Sequence, residues 1–581
     1  MKKQWMVYTK KAWADYTTIG KEFQISPVLA RVIRNRGVDE KSLLEEYLHG
    51  NRENFHDGRQ MKDLTKAGDL LLEKIQQQKK IRIVGDYDCD GVSSIYILYR
   101  GITELGGNVD YAIPHRVHDG YGINENMVEK AVEEGVDTLL TCDNGIAARS
   151  ALSLAKNKGL TVIVTDHHDI PYEEQDGKKV YILPEADAVV DPIQEDCTYP
   201  FKELCGAMVA YKLIEYLYQV RGLRKERAEF FDSLLEIGGL ATVVDVMPLL
   251  GENRIIVKEA LKLMRRTRNL GLKALMEVQQ VEPEQLRCYH LGFTIGPCVN
   301  ASGRLDTAER ALKLFLSKNP KEALALAMEL KLLNDERKQM QEDQVEEAIR
   351  MVEQMGEEKD SVLVLYLPEC HESIAGIVAG KIREKFYRPT FVITKTEDGL
   401  KGSGRSTEEY SMSDKLSECK DLLTKFGGHP MAAGLSLEEK NLEALRLRLN
   451  ANANLSKEDL IPKVWIDCEL PIGYVNSHLI QELDLLEPSG NGNEKPLFGA
   501  LKLRVEEPRL RGKNQDTFIF RAVDERGEGR DCILFHCREE EAASYRAGDM
   551  VNILYSPRLN TYMGEEKVQL QIKEIRHCGR G

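Results

Sequence analysis

Ile81-Arg82-Ile83-Val84-Gly85-Asp86-Tyr87-Asp88-Cys89-Asp90-Gly91 decides the fold. A short apolar run closed by glycine and carboxylates, then a helical stretch from Val92 to Leu105, reads as one strand–helix unit. The pattern recurs. Thr138-Leu139-Leu140-Thr141-Cys142 leads into Asp143-Asn144-Gly145 and a helical stretch from Ala147 to Lys158. The run Leu160 to Val164 ends in Thr165-Asp166-His167-His168-Asp169. Strands alternating with helices imply a parallel, doubly wound sheet, and such sheets bind ligands at the carboxyl ends of their strands. Asp86, Asp88, Asp143, His167 and His168 are therefore expected to converge on one crevice. Any one of these motifs alone could be a polar loop; three strand ends that each deliver carboxylate or imidazole describe a site. Asp86 and Asp88, two apart, would share a face in extended backbone.

Carboxylates outnumber imidazoles in this set and no thiol is obviously recruited, which suits Mg²⁺ or Mn²⁺ better than structural zinc. A mostly carboxylate set is what a two-ion site needs, with the ions about 3.5–4 Å apart and one bridging carboxylate, as in phosphoryl displacement. Hydrolysis of phosphate esters or anhydrides is the leading chemistry. A further ligand is expected downstream. Asp245, isolated in Ala241-Thr242-Val243-Val244-Asp245-Val246-Met247-Pro248, is the best candidate, with a hydrogen-bonded cap as the competing reading.

The motifs DYDCDG, CDNG, TDHHD and TVVDVMP, in that order, resemble those of the DHH phosphoesterase superfamily. The resemblance implies two Mn²⁺ or Mg²⁺ ions held by Asp86, Asp88, Asp143, His167 and Asp245, with Asp143 bridging. It places His168 at the metals or against the substrate phosphate, makes Asp166 an orienter of the imidazoles, and leaves Asp90 supporting. Further along come Pro114-His115-Arg116, Cys205-Gly206-Ala207, the Gly296–Arg304 stretch containing Asn300, His371, Gly402-Ser403-Gly404-Arg405-Ser406, and Gly427-Gly428-His429-Pro430. Together these resemble the RecJ family of bacterial single-strand-specific DNA exonucleases from about residue 50 onward, and the last two clusters resemble its DHHA1 domain. Cys298 is a departure, standing where the family usually has Arg.

Glycine lets backbone amides approach phosphate, and a following Arg or His adds charge. Arg304, Arg405 and His429 each follow a glycine. Singly, each is a turn with a surface side chain; together, beside a metal signature, they point to phosphate contacts. Arg116, Asn300, Arg304, Ser403, Arg405 and His429 are the candidate substrate-binding residues.

The expected organisation is α/β: two α/β lobes joined by a long helix, plus a C-terminal β-barrel of OB type. Residues 1–50 form a short appendage with Trp5 and Trp13, 51–318 the DHH lobe, 319–358 the connecting helix, 359–455 the DHHA1 lobe and 464–577 the barrel. Asn334 and Arg337 are candidates for facing the cleft from the helix. Within the barrel, Phe518, Phe520, Tyr555 and Tyr562 are candidates for base stacking, with packing favoured for the two phenylalanines; Arg509, Arg511 and Lys513 could track a backbone.

With 80 Lys plus Arg against 94 Asp plus Glu, the net charge is −14, not the usual profile of a nucleic-acid binder, though whole-chain charge does not exclude a local basic groove. The 12 cysteines contain no C-x-x-C pair, and the N-terminal residues lack an apolar leader core, so the expectation is a reduced, cytoplasmic protein with no membrane segment. The resemblance implies 5′-to-3′ degradation of single-stranded DNA to mononucleotides in recombination and repair. It also implies a monomer that works with a single-strand-binding protein and a RecQ-type helicase. Two rivals stand beside this. A DHH phosphodiesterase acting on short oligonucleotides or cyclic dinucleotides would generally lack an OB appendage. A non-catalytic replication scaffold would have lost several ligands, and none is lost here.

Overall fold

The computed structural model describes residues 3–9, 15–175, 178–356, 360–397, 399–513, 515–562 and 565–579. Trp13 and the ring of Tyr562 lie outside the described part. The chain divides into two compact units, one of Phe55–Met247 with Ile255–Pro462, the other of Lys3–Asn54, Pro248–Arg254 and Lys463–Gly581.

The first unit is built on a five-stranded sheet in the order Val109–Ala112, Ile81–Val84, Thr138–Cys142, Thr161–Thr165, Ala188–Val190. Every pairing is parallel. The central strands are buried along their whole length, which explains why they read as continuous apolar runs and not as alternating ones. Val84, Leu139, Val162 and Val164 pack under the helices Glu125–Glu133 and Arg149–Asn157, with Val128, Ala151 and Leu152 opposite them. The chain order reverses between Ile81–Val84 and Thr138–Cys142, so the crevice of this sheet opens where Asp86, Asp88 and Asp143 leave it.

The helix Pro320–Met355 is 36 residues long, capped by Asn319, whose side chain accepts the amide of Lys321. It buries Ala323, Ala327, Leu330, Ala348 and Val352. Asn334 is also buried: it accepts a hydrogen bond from Arg337 and lies against Cys298, so it is part of the packing and does not face open space. The second lobe is a five-stranded sheet in the order Lys425–His429, Ala432–Leu437, Gly399–Arg405, Thr390–Thr396, Leu363–Tyr366, with the helix Glu372–Phe386 on it. Only the Leu363–Tyr366 pairing is parallel.

In the second unit five strands follow one another from Phe498–Arg511 through Thr517–Val523, Gly529–Phe535 and Glu565–His577 to Met550–Tyr562. The last pairs with the first, bringing the series round to its start in the OB manner. Phe518, Phe520 and Tyr555 are fully buried, and the Tyr555 hydroxyl donates to the Leu470 carbonyl at 2.7 Å. They are core, which removes them as base-stacking candidates; Arg509, Arg511 and Lys513 are exposed. The N-terminal residues, read from sequence as an appendage, share this core. Gln4–Val7 pairs in parallel with Lys463–Ile466, and Leu29, Ile33 and Leu44 pack with Phe498 and Val505. Arg36 and Asp467 form a buried ion pair at 2.7 Å. No described helix is long and apolar enough to cross a membrane.

Candidate metal centre and strand cleft

Each acidic residue at the crevice is held by a local backbone reason. Asp88 caps the helix Cys89–Glu104, its Oδ1 accepting the amides of Asp90 at 3.0 Å and Gly91 at 3.1 Å. Asp143 has left-handed backbone (φ 57°) at the end of its strand, a conformation that costs a non-glycine residue and clusters at functional sites. Asp166 accepts the amides of Ile146 at 2.9 Å and His167 at 2.8 Å, and its Oδ1 lies 2.8 Å from His168 Nδ1. It thus fixes the imidazole pair from behind. Asp245 is the C-cap of the helix Ala228–Val244.

These residues meet. His167 Nε2 lies 3.1 Å from Asp143 Oδ1, 3.5 Å from Asp90 Oδ2 and 3.7 Å from Asp245 Oδ2. Three overlapping groups have ligand atoms all within 4.8 Å of one another: Asp86 with Asp88 and Asp143; Asp143 with His167 and His168; and Asp90 with His167 and Asp245. Asp143 and His167 are each shared by two groups.

The electrostatics are those of a cation site. Burial, reinforced by the negative charge of Asp88, pushes the Asp86 carboxyl well above the usual carboxylate range. Burial and the neighbouring carboxylates do the same to Asp143 and Asp245. Asp86 is buried and its Oδ1 has no hydrogen-bond partner, an uncommon state for a buried carboxylate oxygen. Burial lowers His167. Against the burial of His168, its hydrogen bond with Asp166 prevails and raises it to about 9.

The other candidates fall in three places. Arg116 stacks over the Tyr87 ring at 4.4 Å. Asn300 Oδ1 accepts the Cys89 amide at 2.7 Å and so braces the loop carrying Asp88. Arg304 donates to the Ser373 carbonyl at 2.6 Å, tying the first lobe to the second. A β-carbon on the preceding Gly303 would collide with the Tyr87 carbonyl oxygen, which is why glycine stands there. Ser403 lines a cavity of about 430 Å³ whose first-lobe wall is Tyr87 and Tyr121, and whose second-lobe wall includes Lys401, Lys425 and Phe426. Arg405, on the same strand as Ser403, donates to the Gly404 carbonyl at 2.7 Å. Exposed His429 sits at the lobe edge, 3.2 Å from Asp169.

Two participants carried weak sequence signals. Asp90, read as supporting, stands in one of the metal-capable groups. Tyr121, between Gly120 and Gly122, donates to the Asp143 carbonyl at 3.2 Å and lies within 3.3 Å of both ring nitrogens of His168.

Comparison with known proteins follows the same division of the chain. Family models match for the DHH family, N-terminal domain, over residues 80–238, the DHHA1 domain over 359–454 and the RecJ OB domain over 466–574. The single-stranded-DNA-specific exonuclease RecJ of Bacillus subtilis is 36% identical over 96% of this chain and 69% of that protein. The RecJ of Salmonella typhimurium is 33% identical over 95% of this chain and 96% of its own. The crystal structure of Thermus thermophilus RecJ in complex with Mn²⁺ superposes with a TM-score of 0.82 at 29% identity, covering 99% of this chain and 79% of that one. At 33–36% identity over nearly the whole of this chain, and with family models matching its DHH, DHHA1 and OB segments, the chain belongs to the RecJ family of single-stranded-DNA-specific exonucleases.

Proposed function

We propose that the protein is a two-metal-ion exonuclease that degrades single-stranded DNA from the 5′ end, releasing mononucleotides in DNA recombination and repair. The observation that carries this reading is the cluster of carboxylates and two imidazoles at the switch point of the sheet, beneath a cavity whose second-lobe wall carries Lys425 and the Lys401–Glu372 ion pair. The donor set fits Mn²⁺ or Mg²⁺: it is oxygen-rich, crowded with like charge, and includes a buried carboxylate oxygen without a partner. Asp86, Asp88 and Asp143 would hold one ion, and Asp143, His167 and Asp245 the other, with Asp90 beside them. Two such ions supply Lewis-acid stabilisation of the attacking and leaving oxygens of an in-line displacement.

The chain's own groups do the rest. Asp166 holds His168 in one orientation, so its imidazole is presented at the half-exposed lip of the cluster, where a phosphate oxygen would arrive. Tyr121 closes the side of that lip. Arg116 and Arg304 from the first lobe, with Ser403 and Arg405 from the second, grip the phosphate, and Lys425 draws the strand into the cavity. At about 430 Å³ that cavity has the size of a small-ligand site, which admits single nucleotide units and excludes a duplex. In the cell we place the enzyme in the cytoplasm as a monomer acting with a single-strand-binding protein and a RecQ-type helicase.

The test is hydrolysis of 5′-labelled and 3′-labelled single strands and a blunt duplex, each with Mn²⁺ or Mg²⁺. Mononucleotide release from the 5′ end of single strands, with the duplex spared, is the expected result. Equal attack on duplex, or no hydrolysis with either ion, would contradict it.

A further inference from the structure

We infer that Tyr289 and Phe293 form a stacking platform for unpaired bases beside the carboxylate cluster. The inference rests on the single-strand reading above and names a base-contacting site within it. Both rings are strongly exposed, 65% and 71%, and they lie nearly parallel, with centroids 5.2 Å apart at 25°. Single exposed apolar residues are ordinary; a stacked, solvent-facing aromatic pair beside a reactive site calls for a ligand.

Their position is fixed from two sides. Phe293 belongs to the π-helical turn Leu291–Ile295, a rare local form that recurs at functional sites. That turn rests on the end of the helix that terminates in Asp245: a β-carbon on Gly292 would lie 3.6 Å from Val243 Cγ1, and one on Gly296 would press into Val244. In the other direction the chain runs straight into the helix Gly296–Leu305, where Asn300 braces the Asp88 loop. Phe293 and Asn300 are seven positions apart, about 10 Å along the helix axis. At the roughly 3.4 Å spacing of stacked nucleotides, that distance is about three bases. The platform therefore lies within reach of the nucleotides next to the cut.

The ligand chemistry follows from the surface. Two flat π-faces accept any base, which suits an enzyme that must move along a strand without regard to sequence. Exposed Arg287, two residues before Tyr289, brings a cation to the same turn for the backbone phosphates.

The test compares the wild type, the double variant Tyr289→Ala/Phe293→Ala and the conservative Phe293→Trp. Affinity for a 5′-phosphorylated single strand is measured by fluorescence anisotropy in EDTA, so that nothing is cut, alongside the same strand with abasic residues at its first five positions. Each stacked base is worth about 1–3 kcal/mol, so the double variant should bind the intact strand at least about fivefold more weakly. It should bind the abasic strand as the wild type does, and Phe293→Trp should retain wild-type affinity. With Mn²⁺, KM on the intact strand should rise while kcat stays within about twofold. Unchanged affinity for the intact strand overturns the platform and leaves the turn as a surface for protein. An equal loss on intact and abasic strands overturns it in favour of a packing role, which the melting temperature would also reveal. If the wild type binds no single strand at all, the nuclease reading itself fails, and the platform with it.

Discussion

The carboxylate of Asp90 accepts the amide of Gly206 at 2.7 Å while its Oδ2 stays 3.5 Å from His167 Nε2. Its other oxygen accepts the Ala207 amide at 2.9 Å, so Asp90 receives the first amides of the helix Gly206–Val220, where the helix dipole favours negative charge. One side chain thereby locks a helix terminus against the metal-capable cluster. A β-carbon on Gly206 would come within 2.8 Å of Asp143 Cβ, so the approach is close enough to require glycine.

Asp90→Ala should therefore act on both stability and metal binding. Two charge-assisted hydrogen bonds to buried amides are lost, at about 1.5–3 kcal/mol each. We expect a loss of about 3–6 kcal/mol in denaturant unfolding, accompanied by weaker Mn²⁺ binding. A variant with wild-type stability would show that the helix terminus does not depend on Asp90.

Arg405 tests the second lobe. A charged hydrogen bond to phosphate is worth about 1.5–3 kcal/mol, so Arg405→Ala should raise KM for a 5′-phosphorylated oligonucleotide roughly ten- to a hundredfold. Bound Mn²⁺ should be unaffected, because Arg405 contacts its own strand and not the carboxylates. Steady-state kinetics with both constants unaltered would remove Arg405 from the strand path.

The core of the second unit makes a prediction about truncation. Leu29, Ile33 and Leu44 share that core with Phe498, Val505 and Tyr555. A chain ending at Ile461 would expose the buried face of the helices Pro27–Asn35 and Lys41–His49 and leave Arg36 without Asp467. Removing one partner of a buried ion pair alone costs about 3–5 kcal/mol. We expect the truncated chain to elute as aggregate in size-exclusion chromatography; a stable monodisperse product would contradict the shared core.

Glu236 gives a pH dependence away from the metal centre. Its side chain is buried and accepts a hydrogen bond from Thr267, and burial raises its carboxyl to about 7. The folded protein thus holds a proton that the unfolded chain releases near pH 4.5. The stability this contributes is fully present below about pH 4.5 and is lost as pH rises through about 7, amounting to about 3 kcal/mol. Glu236→Gln keeps a neutral acceptor for Thr267, so its melting temperature should match the wild type at pH 5 and exceed it at pH 8. A difference that does not change with pH would contradict the raised carboxyl.

What the sequence made legible, and what it hid, divides along the range of the interactions. Asp86, Asp143 and His167 were readable because each ends an apolar run, and a parallel sheet gathers strand ends at one edge whatever the intervening loops do. Asp90 was legible only as a supporting residue, because an acidic residue in the first turn of a helix is explained locally, while its partners are the amides of Gly206 and Ala207, more than a hundred residues away. The N-terminal residues looked detached for the same reason: Gln4–Val7 finds its partner strand at Lys463–Ile466. Phe518 and Phe520 alternate along a strand, and alternation gives a face without saying which face is inward. Tyr121 sits in a loop without periodicity, so only the folded chain brings its hydroxyl to His168.

Asp143 is common to two of the three metal-capable groups, so the central claim is most directly tested by Mn²⁺ titration calorimetry on the wild type and Asp143→Asn. The wild type should bind two ions. The variant, folded to the same melting temperature, should lose at least one of them and nearly all hydrolysis of single strands. Two ions bound with wild-type affinity by Asp143→Asn would contradict the two-metal assignment.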